Sequence, residues 1–242
     1  MPLSQKKELD ILPLKVKQRN NAKWHDLEGL ISHPFTMNIL APSRSGKSVV
    51  ITNLLYNKDF NFKKRFDRII FISPTILIDA SLEFAREDED IVKIHEERYL
   101  DNLDSVIENI FEKQKEDPEE STLLIIDDCA MYLKSSKTLA YGTTKNRHYN
   151  MSMIITSQAY KKIDPVIRNN ATHWLLFKTH VQKEQDHLEE DFNGFPDFLK
   201  FFKEATSVPY SFLFADMLKM RLFKRFETDP MYDKVRDHDK YK

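Results

Sequence analysis

Cysteine and glycine are scarce in this chain, and each scarcity excludes something. A single thiol, Cys129, among 242 residues rules out an internal disulfide and any zinc site built on cysteines, as expected of a reducing compartment. The opening Met1-Pro2-Leu3-Ser4 and the residues after it lack the apolar core of a signal peptide. No later run is long and apolar enough to span a bilayer, so the expectation is a soluble, intracellular protein with no membrane partner. Only four glycines occur. That scarcity raises the information carried by each of them.

One of the four lies in the most informative stretch. From Phe35 an apolar run passes into Ala41-Pro42-Ser43-Arg44-Ser45-Gly46-Lys47-Ser48 and then into aliphatics at Val49 and Val50. A loop wrapped round phosphates needs small residues so that backbone N–H groups point inward, a lysine to reach the terminal phosphates, and a hydroxyl for Mg²⁺. All are present, and average composition would spell this relaxed pattern by chance in only about 2% of chains of this length. Ala41 replaces the usual first glycine, a change tolerated where smallness matters more than positive φ. Residues 41–48 are thus the candidate nucleotide cradle for ATP.

The net charge of −1 hides a strong asymmetry. Residues 79–120 hold 16 acidic and 5 basic side chains, net −11, leaving 32 basic against 22 acidic elsewhere, net +10. A basic body with a segregated acidic segment fits a polyanion-binding protein, and equally an enzyme with a solvated acidic helix pair.

Apolar runs at 35–40, 68–73, 122–126, 151–156 and 173–178 alternate with helical patterns, which predicts an α/β domain with a mainly parallel central sheet flanked by helices. Residues 210–214 and 220–226 read as a late hairpin at the sheet edge. We expect an arm or short leading strand over 1–31, where charge mixes with short apolar runs such as Ile11-Leu12-Pro13-Leu14, then a domain over 32–226 with an acidic helical insert at 79–120, and a tail over 227–242. Leu100, Leu103, Ile107, Ile110 and Phe111 are spaced for one helix face. Another helix is expected over 130–141 with a loop through Gly142, and Phe192, Phe195, Phe198, Phe201 and Phe202 lie at helical spacing for core packing.

Hydrolysis needs a second constellation, and Asp127-Asp128 supplies it. Directly after Leu123-Leu124-Ile125-Ile126, Asp127 falls at the C-terminal end of a buried strand expected beside the P-loop strand, where ligands of open α/β sheets gather. Asp127 with Ser48 would hold Mg²⁺, and Asp128 would polarise the attacking water. Gln158 ends the strand Ser152-Met153-Ile154-Ile155-Thr156-Ser157, and its amide offers a donor and an acceptor to the γ-phosphate and the water in line with it. Arg147 and Arg168 are candidate arginine fingers, acting from a neighbouring subunit. Lys134, Lys137, Lys145, Lys161 and Lys162 are candidate DNA contacts on the nucleotide side.

The run Ala41 to Ser48, then Leu123 to Asp128, then Arg147-His148-Tyr149-Asn150 ahead of a strand ending in Gln158, then Ile167-Arg168-Asn169-Asn170, resembles the poxvirus-type genome-packaging ATPases of the FtsK–HerA superfamily over roughly residues 35–178. The resemblance implies a P-loop NTPase fold and a homo-oligomeric ring, pentamer or hexamer. It further implies a motor using ATP and Mg²⁺ to drive double-stranded DNA into a capsid, with capsid vertex proteins as partners and the host cytoplasm or virus factory as its location. By position it makes Lys47 and Ser48 the phosphate and Mg²⁺ residues, Asp127 and Asp128 the hydrolytic pair, Gln158 the sensor and Arg147 the finger, with Arg168 second. Asp128 departs from the more frequent glutamate. Two other classes compete: a small-molecule P-loop kinase, for which no arginine-rich lid follows Asp128, and a nucleotide-switched partitioning protein, whose early P-loop lysine is replaced here by Arg44.

Overall fold

Nearly every side chain of the inner strands is buried, and successive residues enter different cores. The computed structural model describes residues 22–27, 29–129 and 136–237. The apolar run at 11–14, Ala130, Lys134 and the chain end from 238 lie outside them. Six strands run parallel: β1 (Thr36–Leu40), β2 (Arg68–Ile72), β3 (Ile91–Ile94), β4 (Thr122–Ile126), β5 (Met151–Ser157) and β6 (His173–Phe177). Then β7 (Phe212–Asp216), β8 (Arg221–Lys224) and β9 (Tyr232–Asp233) continue the sheet antiparallel, in the order β3-β2-β4-β5-β1-β6-β7-β8-β9.

The period of two explains the unbroken apolar runs. Ile70, Ile72, Leu124, Ile126, Met153 and Ile155 face one core, while Ile69, Phe71, Leu123, Ile125 and Ile154 face the other. A parallel sheet covered on both faces has no solvent side to make polar. Helices α1 (Lys47–Tyr56) and α2 (Phe62–Arg65) cover the second face through Ile51, Leu54, Leu55 and Phe62. Each such side chain contributes about 1.5–3 kcal/mol when buried. The short α3 (Glu83–Glu87) and α4 (Glu97–Leu100) belong to the acidic segment, with α5 (Leu103–Glu116) after them. Helix α5 packs on the first face with α6 (Lys137–Lys145), joined there by α7 (Pro165–Asn169), α8 (Gln182–Asp191) and α9 (Phe198–Ala205).

Several expectations are corrected. The acidic segment is not purely helical: Ile91–Ile94 forms β3, the edge strand beyond β2. The strand ending at Asp127 is not the neighbour of the P-loop strand, because β5 pairs with both β4 and β1 and separates them. Gly142 lies within α6 and not in a loop; a Cβ there would come within 2.0 Å of the Phe111 ring, so α5 and α6 touch where only glycine fits. The aromatic row is core, as expected, but split. Phe192 closes α8, Phe195 lies in the turn, and the others are on α9.

Both ends of the domain also reach further than expected. Trp24, Leu27 and Ile31, placed in the arm, are buried against Phe62 and Phe66. Beyond residue 227, β9 pairs with β8 and Tyr232 packs on Phe195 and Phe201. Among the described residues, no helix is long and apolar enough to cross a membrane.

Candidate functional site: a phosphate cradle facing two carboxylates

The loop after β1 turns on two left-handed residues, Arg44 at φ 62° and Gly46 at φ 99°. The first must strain a side chain into that region; the second is free to adopt it. Ser45 donates both its N–H and its hydroxyl to the Pro42 carbonyl, at 3.2 and 2.7 Å, and the Ala41 N–H is bonded to the Ser157 carbonyl at 3.0 Å. Gly46 is pressed by the Tyr210 ring, 3.3 Å from where a Cβ would stand, and it leads directly into α1. The result is a cavity of about 390 Å³ at the positive end of a helix, lined by Ala41, Pro42, Ser43, Arg44, Gly46, Lys47 and Ser48 on one side and Asp79, Asp128, Gln158 and Tyr210 on the other.

Lys47 points at the acid pair. Its Nζ is 2.9 Å from Asp127 Oδ1 and 3.0 Å from Asp128 Oδ2. Burial by itself pushes the ammonium down, but the attraction of Asp127 and Asp128 outweighs it and holds Lys47 above the ordinary lysine value. Asp127 is fully buried and hydrogen-bonded, accepting from the Thr156 hydroxyl at 2.8 Å and from Ser73 at 3.3 Å. Asp128 has a left-handed backbone at φ 55°, and its N–H is anchored on Thr156 Oγ1 at 3.0 Å. Its carboxylate accepts from the Gln158 amide.

The inserted strand β5 therefore assembles the site. It brings Thr156 and Gln158 between the loop after β1 and the end of β4. Thr156 went unrecognised in the sequence because a threonine within a strand has an ordinary reason to be there. Asp79 also went unrecognised, being one acid among sixteen in the acidic segment. It follows β2 and accepts from Ser48 Oγ at 2.7 Å, and the Ser81 and Ser48 hydrogen bonds, with Lys47 nearby, overcome a burial effect of opposite sign to hold its carboxyl below the usual range. Tyr210 gave no motif at all.

The two arginines differ sharply. Arg168 is mostly enclosed: its guanidinium pairs with Asp191 at 2.8 Å and lies over the Tyr160 ring at 4.6 Å. Arg147 is exposed and enters no ion pair among the described residues. It precedes the start of β5, at the strand ends opposite the cavity. The seven residues of β5 place it about 23 Å from the phosphate side of its own chain. Lys161 and Lys162 are exposed just past the end of β5, at the strand ends where the cavity lies, and Lys137 begins α6. Lys145, expected on that side, is at the far end of α6, bonded to the Tyr141 hydroxyl.

Comparisons with known proteins bear on the family and the fold. The DNA packaging protein OPG160 of vaccinia virus (strain Copenhagen) is 24% identical over 173 residues, covering 69% of this chain and 61% of its own length. The uncharacterized protein L437 of Acanthamoeba polyphaga mimivirus is 25% identical over 188 residues, covering 74% and 64%. The chain thus spans about three fifths of the length of these relatives. The fold is shared with the crystal structure of B204, the DNA-packaging ATPase from Sulfolobus turreted icosahedral virus, at a TM-score of 0.60 and 18% identity over 78% of this chain and 96% of that one. The model of the family described as "Poxvirus A32 protein" matches residues 22–191, and the chain belongs to that family.

Proposed function

We propose that this chain is the ATPase of a homo-oligomeric ring, a pentamer or hexamer, that translocates double-stranded DNA and packages a viral genome into a preformed capsid. The observation that carries the reading is the convergence of Lys47, Asp127, Asp128 and Gln158 at the end of the loop after β1. Packaging supports it as the stated role of OPG160 and B204, and B204 from a second Sulfolobus virus has been solved with ATP-gammaS. Capsid vertex proteins and a location in the virus factory follow from the same reading.

The residues fit a magnesium nucleotide, since Ser48 and Asp127 offer the hard oxygen donors that Mg²⁺ prefers, next to a loop shaped by left-handed Gly46. Mg²⁺ held by Ser48 and Asp127 would neutralise charge on the phosphate oxygens. Lys47 exchanges its carboxylate partners for the terminal phosphates. Asp128 accepts the proton of a water as that water's oxygen bonds to the γ-phosphorus and the bond to the ADP oxygen breaks. Gln158 holds Asp128 in place and senses the γ-phosphate through its amide. Arg147 reaches the pocket of the adjacent subunit. Lys137, Lys161 and Lys162 are the described residues from which we would build the DNA contact.

The test is ATP hydrolysis with and without double-stranded DNA, using the assembled protein. Stimulation by DNA of any sequence is expected. Hydrolysis indifferent to DNA, or phosphoryl transfer to a small hydroxyl compound, would sink the motor reading and favour a switch or a kinase.

A further inference from the structure

We infer that Asp79 is a positioning residue that orients the Ser48 hydroxyl for Mg²⁺, a role no part of the P-loop pattern assigns. The inference rests on the magnesium-nucleotide reading of the cradle and concerns how its metal ligand is prepared.

A serine hydroxyl has one proton and two lone pairs, and a hydroxyl that ligates a cation must give its proton to some other acceptor. In this chain the acceptor is Asp79, whose Oδ2 lies 2.7 Å from Ser48 Oγ. Asp127 is otherwise engaged: Oδ1 receives Lys47 and Thr156, and Oδ2 receives Ser73. With the Ser48 proton committed to Asp79, both lone pairs of Ser48 remain for a cation.

Asp79 is itself held firmly. Its Oδ1 accepts the Ser81 N–H at 2.9 Å and the Ser81 hydroxyl at 2.5 Å, capping the short turn Ala80–Leu82 and leaving Oδ2 for Ser48. One helical turn after Ser48, Thr52 donates to the Ser81 carbonyl at 2.8 Å. Ser48 and Thr52, four residues apart on one face of α1, thus clamp the same turn. Asp79 also lines the cavity, beside the hydroxyl it orients. Partners that orient a metal ligand in this way typically change metal affinity by about 10- to 100-fold.

The experiment measures binding of a fluorescent, non-hydrolysable ATP analogue to the full chain as Mg²⁺ is titrated, and again in EDTA. Asp79→Asn keeps a carbonyl for the Ser81 cap but offers Ser48 an amide NH₂ that cannot accept its proton. The Mg²⁺ midpoint should rise about 10- to 100-fold, with metal-free nucleotide binding no weaker than wild type. Ser48→Ala should lose the same metal response, and the double variant should be no worse than Ser48→Ala, because the two residues act as one unit. An unchanged Mg²⁺ midpoint in Asp79→Asn overturns the inference, as does an equal loss of binding in EDTA or additive losses in the double variant. If the wild-type chain binds nucleotide with no Mg²⁺ dependence, the magnesium-nucleotide reading itself falls, whatever the variants do.

Discussion

Gln158 and Asp128 are bonded to each other across the mouth of the cradle: the Gln158 amide nitrogen donates to both Asp128 carboxylate oxygens, at 3.0 and 3.2 Å. Two strands end here, β5 and β4, and the bond ties their ends together. With its backbone N–H anchored on Thr156 and its carboxylate held by the Gln158 amide, Asp128 keeps its place when Lys47 turns away, which lowers the reorganisation needed at the moment of reaction.

From this arrangement, Lys47→Ala and Asp128→Asn should fail in different ways. Lys47→Ala removes the cation that faces the phosphates and should abolish nucleotide binding and hydrolysis together. Asp128→Asn leaves Ser48 and Asp127 in place and should bind nucleotide normally while turnover falls by about 10²- to 10⁴-fold, the usual worth of a positioned base. Equilibrium binding beside steady-state phosphate release distinguishes the two. Normal turnover in Asp128→Asn would remove that residue from the hydrolytic role.

Gly46→Ala should damage the cradle although alanine is barely larger. The backbone there is left-handed, and an added methyl would lie 3.3 Å from the Tyr210 ring. Left-handed alanine costs roughly 1–2 kcal/mol, and the ring must also give way. A weakened nucleotide affinity with folding retained is expected from fluorescence titration and circular dichroism. Full wild-type affinity would show that the loop tolerates a side chain at this point.

Much of the site was legible because phosphate chemistry constrains spelling. Most of residues 41–48, with Asp128 and Gln158, line one cavity, and Asp127 is buried behind Lys47, because each follows a buried strand in a parallel sheet, and strand ends gather ligands. Asp79 was not legible: one hydrogen bond distinguishes it from the other acids around it, and sequence carries no such bond. Strand β3 was missed because Ile91-Val92-Lys93-Ile94 is a four-residue edge strand set in charged surroundings, too short to show alternation. The order of strands was hidden too. A run of apolar segments says that a parallel sheet forms, not that β5 inserts between β4 and β1.

His173 should make the fold acid-sensitive. Its ring is buried, stacked on Phe214 with centroids 5.6 Å apart, beside Asp216, with Lys219 and Arg221 also acting on it. Burial pushes the imidazole well below its ordinary value, with Asp216 opposing that shift and the two cations adding to it. The unfolded chain then binds this proton more readily than the folded one. Stability is full above about pH 6.5 and falls as pH drops through that value towards the folded-state pKa, by at most about 1.4 kcal/mol per pH unit. Thermal midpoints at pH 7 and pH 5 should separate more for the wild type than for His173→Gln; equal losses would assign the acid sensitivity to other groups.

DNA binding should be driven by phosphates and not by sequence. The chain outside residues 79–120 carries net +10, and Lys161 and Lys162 are exposed at the strand ends where the cavity lies. If about six phosphates are contacted, affinity should drop by roughly 10³-fold between 50 and 200 mM salt. Replacing both lysines by glutamate should reduce the slope and the affinity on every duplex alike while nucleotide binding stays intact. A salt-independent affinity, or no binding at low salt by the assembled ring, contradicts the prediction.

Arg147 and the cradle of its own chain lie at opposite ends of the strands, separated by the length of β5, which puts this guanidinium out of reach of its own cradle. Arg168 has its partners already, Asp191 and Tyr160, and moving it would break both the ion pair and the contact with the Tyr160 ring. Arg147→Ala should accordingly leave the thermal midpoint and nucleotide binding near wild type while cutting hydrolysis by about 10³-fold or more, the range for arginine fingers. Mixing makes the assignment specific. Arg147→Ala subunits retain a working cradle and Lys47→Ala subunits retain a working finger, so rings containing both should regain hydrolysis at interfaces where the two intact parts meet. Rings verified as mixed, yet still inactive, would eliminate a finger at Arg147 and leave Arg168, released from Asp191 on assembly, as the residue to test by the same complementation.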